Sequence, residues 1–152
     1  MVSYLLIVYF ELMDALIIED SGSFSLLLKQ KLKTKGIQNI TIVESVEKGS
    51  WHLNENKPGL VFIDNGLPGV NGIDAFNILK ELNPESFFVF MSSNLETLSC
   101  DQLASIDDKD IIIDKESLIN SFGDVLERYK FNEKKDTSLV DKIKSFFVES
   151  TK

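Results

Sequence analysis

The sequence predicts an α/β fold in which helices are wound over both faces of a five-stranded parallel sheet. Short apolar runs alternate with stretches of helical periodicity five times along the chain. Two of these runs, residues 60–63 and 87–91, carry no polar residue, as strands buried on both faces require. Strands of that kind alternating with helices pair in parallel, and right-handed crossovers leave few topologies.

The elements follow in order. Residues 15–18 form a first strand that ends abruptly at Glu19-Asp20. A helix over 24–35 repeats Phe24, Leu27, Leu28 and Leu32, with Ser21 or Ser23 as its cap and Gly36 as its stop. Residues 40–43 are β-branched enough for a second strand. A short helix over 46–56 breaks at Pro58-Gly59, and the third strand, 60–63, stops at Asp64. Residues 65–72 read as a loop containing Pro68 and three glycines. Ile73, Phe76, Leu79 and Leu82 then mark one face of a helix that Asn83-Pro84 ends. The fourth strand stops at Ser92-Ser93, a weaker helix covers 95–106, and Ile111 to Ile113 form the fifth strand, which stops at Asp114-Lys115. A helix over 118–129 closes the series. The expected organisation is an N-terminal extension over 1–13, one domain over 14–130, and a linker with an amphipathic helix over 131–152.

Composition narrows the function. The chain has 152 residues, 43 % hydrophobic and 26 % charged, which fits one soluble domain rather than a disordered chain. Eleven phenylalanines imply an aromatic core. A net charge of −8 repels phosphate backbones, and there is no basic stripe, so nucleic acid is not an expected partner. A basic or cation-bearing partner, or a bound metal ion, suits the charge better. The apolar run 2–10 is too short to span a bilayer and lacks a basic flank and a cleavage site. It reads as an extra strand or, by preference because a new rhythm begins at Met13-Asp14, as sequence upstream of a start at Met13, with no membrane role. The lone cysteine, Cys100, excludes an internal disulfide and points to a reducing, cytoplasmic compartment. Cys100 itself is expected to be an ordinary buried or half-buried residue. His52, beside Trp51, is expected to be a surface or helix residue rather than a phosphorelay site.

The chemistry gathers where the strands end. Sites in open parallel sheets lie beyond the carboxyl ends of the strands. There the sequence places Glu19 and Asp20, then Asp64, then Ser92, then Lys115. Any one polar strand end means little, but three carboxylates, a hydroxyl and an ammonium on one rim form a coherent set. Three close carboxylates need a cation among them, and a hard cation such as Mg²⁺ suits an oxygen-lined rim. An aspartate can attack phosphorus to give an acyl phosphate. A cation and a lysine then neutralise the charge on the transferred group.

The run from Asp64 to Gly72, Asp-Asn-Gly-Leu-Pro-Gly-Val-Asn-Gly, resembles the motif of response-regulator receiver domains. With Glu19-Asp20, Ser92 and Lys115 at suitable spacings, the resemblance covers roughly residues 14 to 130. It implies a doubly wound, flavodoxin-like sheet of strand order 2-1-3-4-5. It implies that Asp64 accepts the phosphoryl group, and that Asp20, Glu19, Asp64 and the carbonyl of Gly66 hold Mg²⁺ or Mn²⁺. Ser92 would be the switch hydroxyl and Lys115 the phosphoryl partner. The donor would be a sensor histidine kinase or a histidine phosphotransfer protein, and the output would be a downstream protein target. Residues 131–152 leave no room for an output domain, so the expectation is a stand-alone phosphoacceptor. The resemblance implies a signalling protein that phosphorylates and dephosphorylates itself rather than an enzyme in the usual sense. The C-terminal helix would offer a homodimer contact if left unpacked.

The chain departs from the family pattern in places. Glu116 follows Lys115 where the family usually has proline, so a trans bond is expected there. Ile112 stands where the family tends to carry a switch tyrosine or phenylalanine. Gly66 has no side chain to shield an acyl phosphate from water, so a short-lived phosphoaspartate is expected. The departures at Ile112 and Glu116 keep a second reading open, a receiver-like interaction module that works without phosphorylation. A haloacid-dehalogenase-type hydrolase needs an aspartate where Gly66 stands.

Overall fold

The computed structural model describes residues 13–135. The readings of residues 1–12 as an extension, and of the helix with Leu139, Ile143, Phe146 and Phe147, fall outside the described residues. The chain divides into two compact units, with the boundary at Ser121.

The first unit holds a five-stranded sheet of order β2-β1-β3-β4-β5, parallel throughout. Its strands are β1 (Asp14–Ile18), β2 (Asn39–Val43), β3 (Leu60–Asp64), β4 (Phe87–Ser92) and β5 (Ile111–Asp114). Its helices are α1 (Gly22–Thr34), α2 (Val46–Asn56), α3 (Gly72–Leu82), α4 (Cys100–Ala104) and α5 (Lys115–Asn120). The second unit contributes α6 (Phe122–Lys135). This is the doubly wound order that the family resemblance implied. Every residue of β3 and β4 is buried, as their unbroken apolar runs require. The core is aromatic as well. The Phe76 ring meets Phe88 and Phe90 edge-on at 5.4 and 5.8 Å between centroids. Such pairs add about 1 kcal/mol each to the burial of the rings.

Several local readings change. Leu27 and Leu82, counted into buried stripes, are 40 % and 42 % exposed. At the end of α3 the inner position goes instead to Asn83, which is buried and donates its amide to the Ser86 hydroxyl. The helix expected over 95–106 splits into a 3₁₀ turn, Leu95–Thr97, and α4. Ser99 is the cause. Its hydroxyl accepts the Gln102 N–H, and the Gln102 side chain accepts the Ser99 N–H, so a capping box starts a new helix midway. Cys100 therefore lies on a short helix with no buried residue and is exposed, not buried. The helix expected over 118–129 starts earlier and is interrupted at Ser121. The Asp114 carboxylate accepts the Ser117 N–H at 2.8 Å and so starts α5 directly after β5. The Ser121 carbonyl takes the Val125 N–H and begins α6. Trp51 and His52 lie on α2, with Trp51 exposed and His52 beside Asn56.

One ionic cluster sits at the amino end of the sheet. Lys80 of α3 reaches both oxygens of the buried Asp110 carboxylate, at 2.9 and 2.8 Å. Asp110 also accepts the Phe88 N–H at 2.8 Å, and Lys80 donates to the Ser86 carbonyl at 2.8 Å. Burial pulls the Lys80 ammonium below its ordinary pKa, and Asp110 restores only part of the loss.

Candidate functional site

The strand register builds the opposite rim. Ile18 of β1 lies level with Ile63 of β3, so Glu19 comes level with Asp64. Asp64 pairs with Met91, one residue before Ser92, and Ser92 pairs with Asp114, one residue before Lys115. Four strands thus deliver the predicted site residues to one edge.

The contacts there are specific. Lys115 Nζ lies 2.6 Å from Glu19 Oε2 and 3.1 Å from Asp64 Oδ1. Glu19 and Asp64 are buried, whereas Asp20 is exposed. Glu19 Oε1 accepts the Ser21 N–H at 2.9 Å. Glu19 Oε2 has the ion pair with Lys115 but no aligned hydrogen bond. Burial raises the Glu19 carboxyl above its ordinary range, and Asp64 raises it further against the pull of Lys115 and the Ser21 N–H. Burial alone would lower the Lys115 ammonium, but Glu19 and Asp64 outweigh it and lift the group above its usual value.

These residues fit a divalent cation. Ligand oxygens of Glu19, Asp20 and Asp64 all lie within 4.8 Å of one another. Three carboxylates face one ammonium, so two negative charges are left over.

The neighbouring loop is folded tightly against Asp64. A Cβ placed on Gly66 would lie 3.2 Å from Asp64 Oδ2, so the residue borders the carboxylate directly. A Cβ on Gly72 would clash with the Asn65 backbone at 2.7 Å, so only glycine lets α3 begin so close to the residue after Asp64. Asn65 donates its amide to the Ser92 hydroxyl at 3.4 Å, and Asn94 donates its N–H to the same oxygen at 3.1 Å. Ser92 is the acceptor in both bonds, so neither uses its own O–H. The peptide bond after Lys115 is trans, as expected for Glu116. Ile112 packs against the core.

Two residues at the rim escaped the sequence reading. Asn65 follows the aspartate directly, but nothing in its type announced a bond to Ser92. Phe24 was assigned to the core face of α1. Its ring instead faces Lys115, with Nζ 4.8 Å from the ring centroid.

Residues 15–128 match the family described as the response regulator receiver domain. This chain belongs to that family. Among solved structures it resembles a CheY-like receiver domain from Methylobacillus flagellatus, at 26 % identity and a TM-score of 0.67, covering 78 % of this chain and 98 % of that one. It also resembles the receiver domain of the histidine kinase CKI1 from Arabidopsis thaliana in complex with Mg²⁺ and BeF3⁻. That likeness is at 14 % identity and a TM-score of 0.65, over 82 % of this chain and 93 % of that one. A response regulator from Burkholderia pseudomallei with a phosphorylated aspartic acid and a calcium ion is 16 % identical. Its TM-score is 0.65, over 83 % and 74 % of the two chains. The last two likenesses concern the fold. No curated protein matches the chain. Receiver domains are signalling domains of two-component systems rather than classical enzymes. They bind Mg²⁺ at an acidic pocket and interact with histidine kinases or phosphotransfer proteins. Among the described residues, no helix is long and apolar enough to cross a membrane.

Proposed function

We propose that Asp64 accepts a phosphoryl group from a phosphohistidine donor and that the modified state is read by a partner protein. The observation that carries this is the rim itself: Asp64 lies 3.1 Å from Lys115, with the Glu19 and Asp20 carboxylates beside it. In the transfer, an Asp64 oxygen forms the bond to phosphorus as the phosphorus–nitrogen bond to the donor imidazole breaks. The bond electrons return to that ring nitrogen. Lys115 holds negative charge on the transferring oxygens as a point charge. Ser92, whose O–H neither Asn65 nor Asn94 takes up, donates to another phosphoryl oxygen. Glu19, Asp20, Asp64 and the Gly66 carbonyl would hold a divalent cation, Mg²⁺ or Mn²⁺, which would supply positive charge to offset the negative charge of the transfer.

Intact mass after incubation with Mg²⁺ and acetyl phosphate tests the reading. The expected result is one phosphoryl adduct on the wild type and none on Asp64→Asn. No adduct on the wild type would overturn it and favour an interaction module that works unmodified, which Ile112 and Glu116 would then explain.

A further inference from the structure

We infer that Phe24 is a positioning residue for Lys115, holding the lysine through its ring face when the carboxylates that now pair with it are engaged elsewhere. This rests on the phosphoacceptor reading of Asp64. Four contacts close a circuit around the lysine. Glu19 Oε1 accepts the Ser21 N–H at 2.9 Å. The Ser21 hydroxyl caps α1 by accepting the Phe24 N–H, at a long 3.5 Å. The Phe24 ring lies 4.8 Å from Lys115 Nζ. Lys115 returns to Glu19 through Oε2 at 2.6 Å. The carboxylate that pairs with the lysine therefore also sets the helix turn that presents the ring.

The ring matters because the other two partners of Lys115 are shared. Glu19 and Asp64 belong to the acidic cluster suited to a cation, and Asp64 is itself the nucleophile. When both are engaged, their hold on the lysine weakens. An aromatic face attracts an ammonium by its quadrupole and cannot coordinate a metal or accept a phosphoryl group. It thus keeps Nζ near the rim and free to meet a phosphoryl oxygen.

The test is the initial rate of adduct formation with acetyl phosphate at saturating Mg²⁺, followed by intact mass. Phe24→Leu keeps apolar bulk and loses the quadrupole, and Phe24→Trp keeps both. The expected result is a rate about fivefold lower for Phe24→Leu and close to wild type for Phe24→Trp, in line with the strength of such contacts. In a Lys115→Gln background, Phe24→Leu should slow the rate no further. Equal losses for Leu and Trp, no loss for Leu, or the same loss without the lysine would overturn the inference while leaving Asp64 as phosphoacceptor. No adduct on the wild type would instead overturn the reading of Asp64, and this inference with it. A second readout is independent of phosphorylation. The Lys115 ε-methylene proton shift should lie upfield in the wild type through the ring current, and return toward the ordinary lysine value in Phe24→Leu. An ordinary shift in the wild type would contradict the contact.

Discussion

The sheet carries a lysine–carboxylate cluster at each end, and the two differ in stoichiometry. At the amino end one lysine meets one carboxylate, so the charges balance. Asp110 takes Lys80 on both oxygens and the Phe88 N–H as well, and Lys80 spends its remaining reach on the Ser86 carbonyl. At the carboxyl end one lysine faces Glu19, Asp20 and Asp64. Glu19 is pushed up in pKa by burial and by Asp64. Each end leaves one carboxylate oxygen, Glu19 Oε2 and Asp110 Oδ2, with an ion pair but no aligned hydrogen bond, so the difference lies in the charge count. A balanced cluster holds the fold in place. An unbalanced one stores a demand for positive charge, which a divalent cation meets. Burial is similar at the two ends, so burial alone does not separate structural from functional ion pairs.

Breaking the balanced end gives the largest expected effect. Lys80→Met leaves the Asp110 carboxylate buried without its counter-ion and should cost about 3 kcal/mol in urea unfolding. The folded variant should still take a phosphoryl group. Loss of the adduct in folded Lys80→Met would show that the two ends are coupled. Next in size, Mg²⁺ at about 100 times its Kd should stabilise the wild type by about 2.7 kcal/mol. That gain should shrink in Asp20→Asn, as read by thermal unfolding. A smaller effect is kinetic. Gly66 leaves Asp64 Oδ2 unshielded, so the wild-type adduct should decay quickly once donor is removed and more slowly in Gly66→Ala. Persistence of the wild-type adduct for many hours would contradict this.

The smallest effect is in the pH dependence of the amino end. Burial lowers the Lys80 pKa in the folded state, so the folded protein gives up that proton before the unfolded chain does. Between the lowered value and the ordinary lysine range the unfolded chain holds more protons, and stability therefore rises with pH across that window. Lys80→Met should lack this rise, and an unchanged slope would count against the assignment.

The fold was largely legible because the central strands β3 and β4 are buried on both faces. Unbroken runs such as 60–63 and 87–91 admit few other readings, and the polar residues that end them mark the rim. Glu19, Asp20, Asp64, Ser92 and Lys115 were legible for the same reason: each follows or closes a strand. What escaped was set by tertiary approach rather than by local pattern. Phe24 has the type and spacing of a core residue, and only the position of Lys115 makes it a site residue. Lys80 and Asp110 are 30 positions apart, and nothing in either neighbourhood announces the pair. Leu82 continues an apolar stripe in sequence, but α3 ends there and Asn83 takes the buried place. The split at Ser99 is a different case: the capping box of Ser99 and Gln102 stands in the sequence but was not read in the single weak helix over 95–106.

The central claim is that the carboxyl rim carries more negative charge than the protein alone can satisfy. Urea unfolding of the wild type and Asp64→Asn, each in EDTA and in Mg²⁺, tests it most directly. Removing one of the three carboxylate charges leaves Lys115 paired with Glu19 and relieves repulsion. The expected result is an Asp64→Asn protein more stable than the wild type in EDTA, with a smaller gain from Mg²⁺. An Asp64→Asn protein less stable than the wild type in EDTA, with an equal gain from Mg²⁺, would show the rim already balanced and contradict the account.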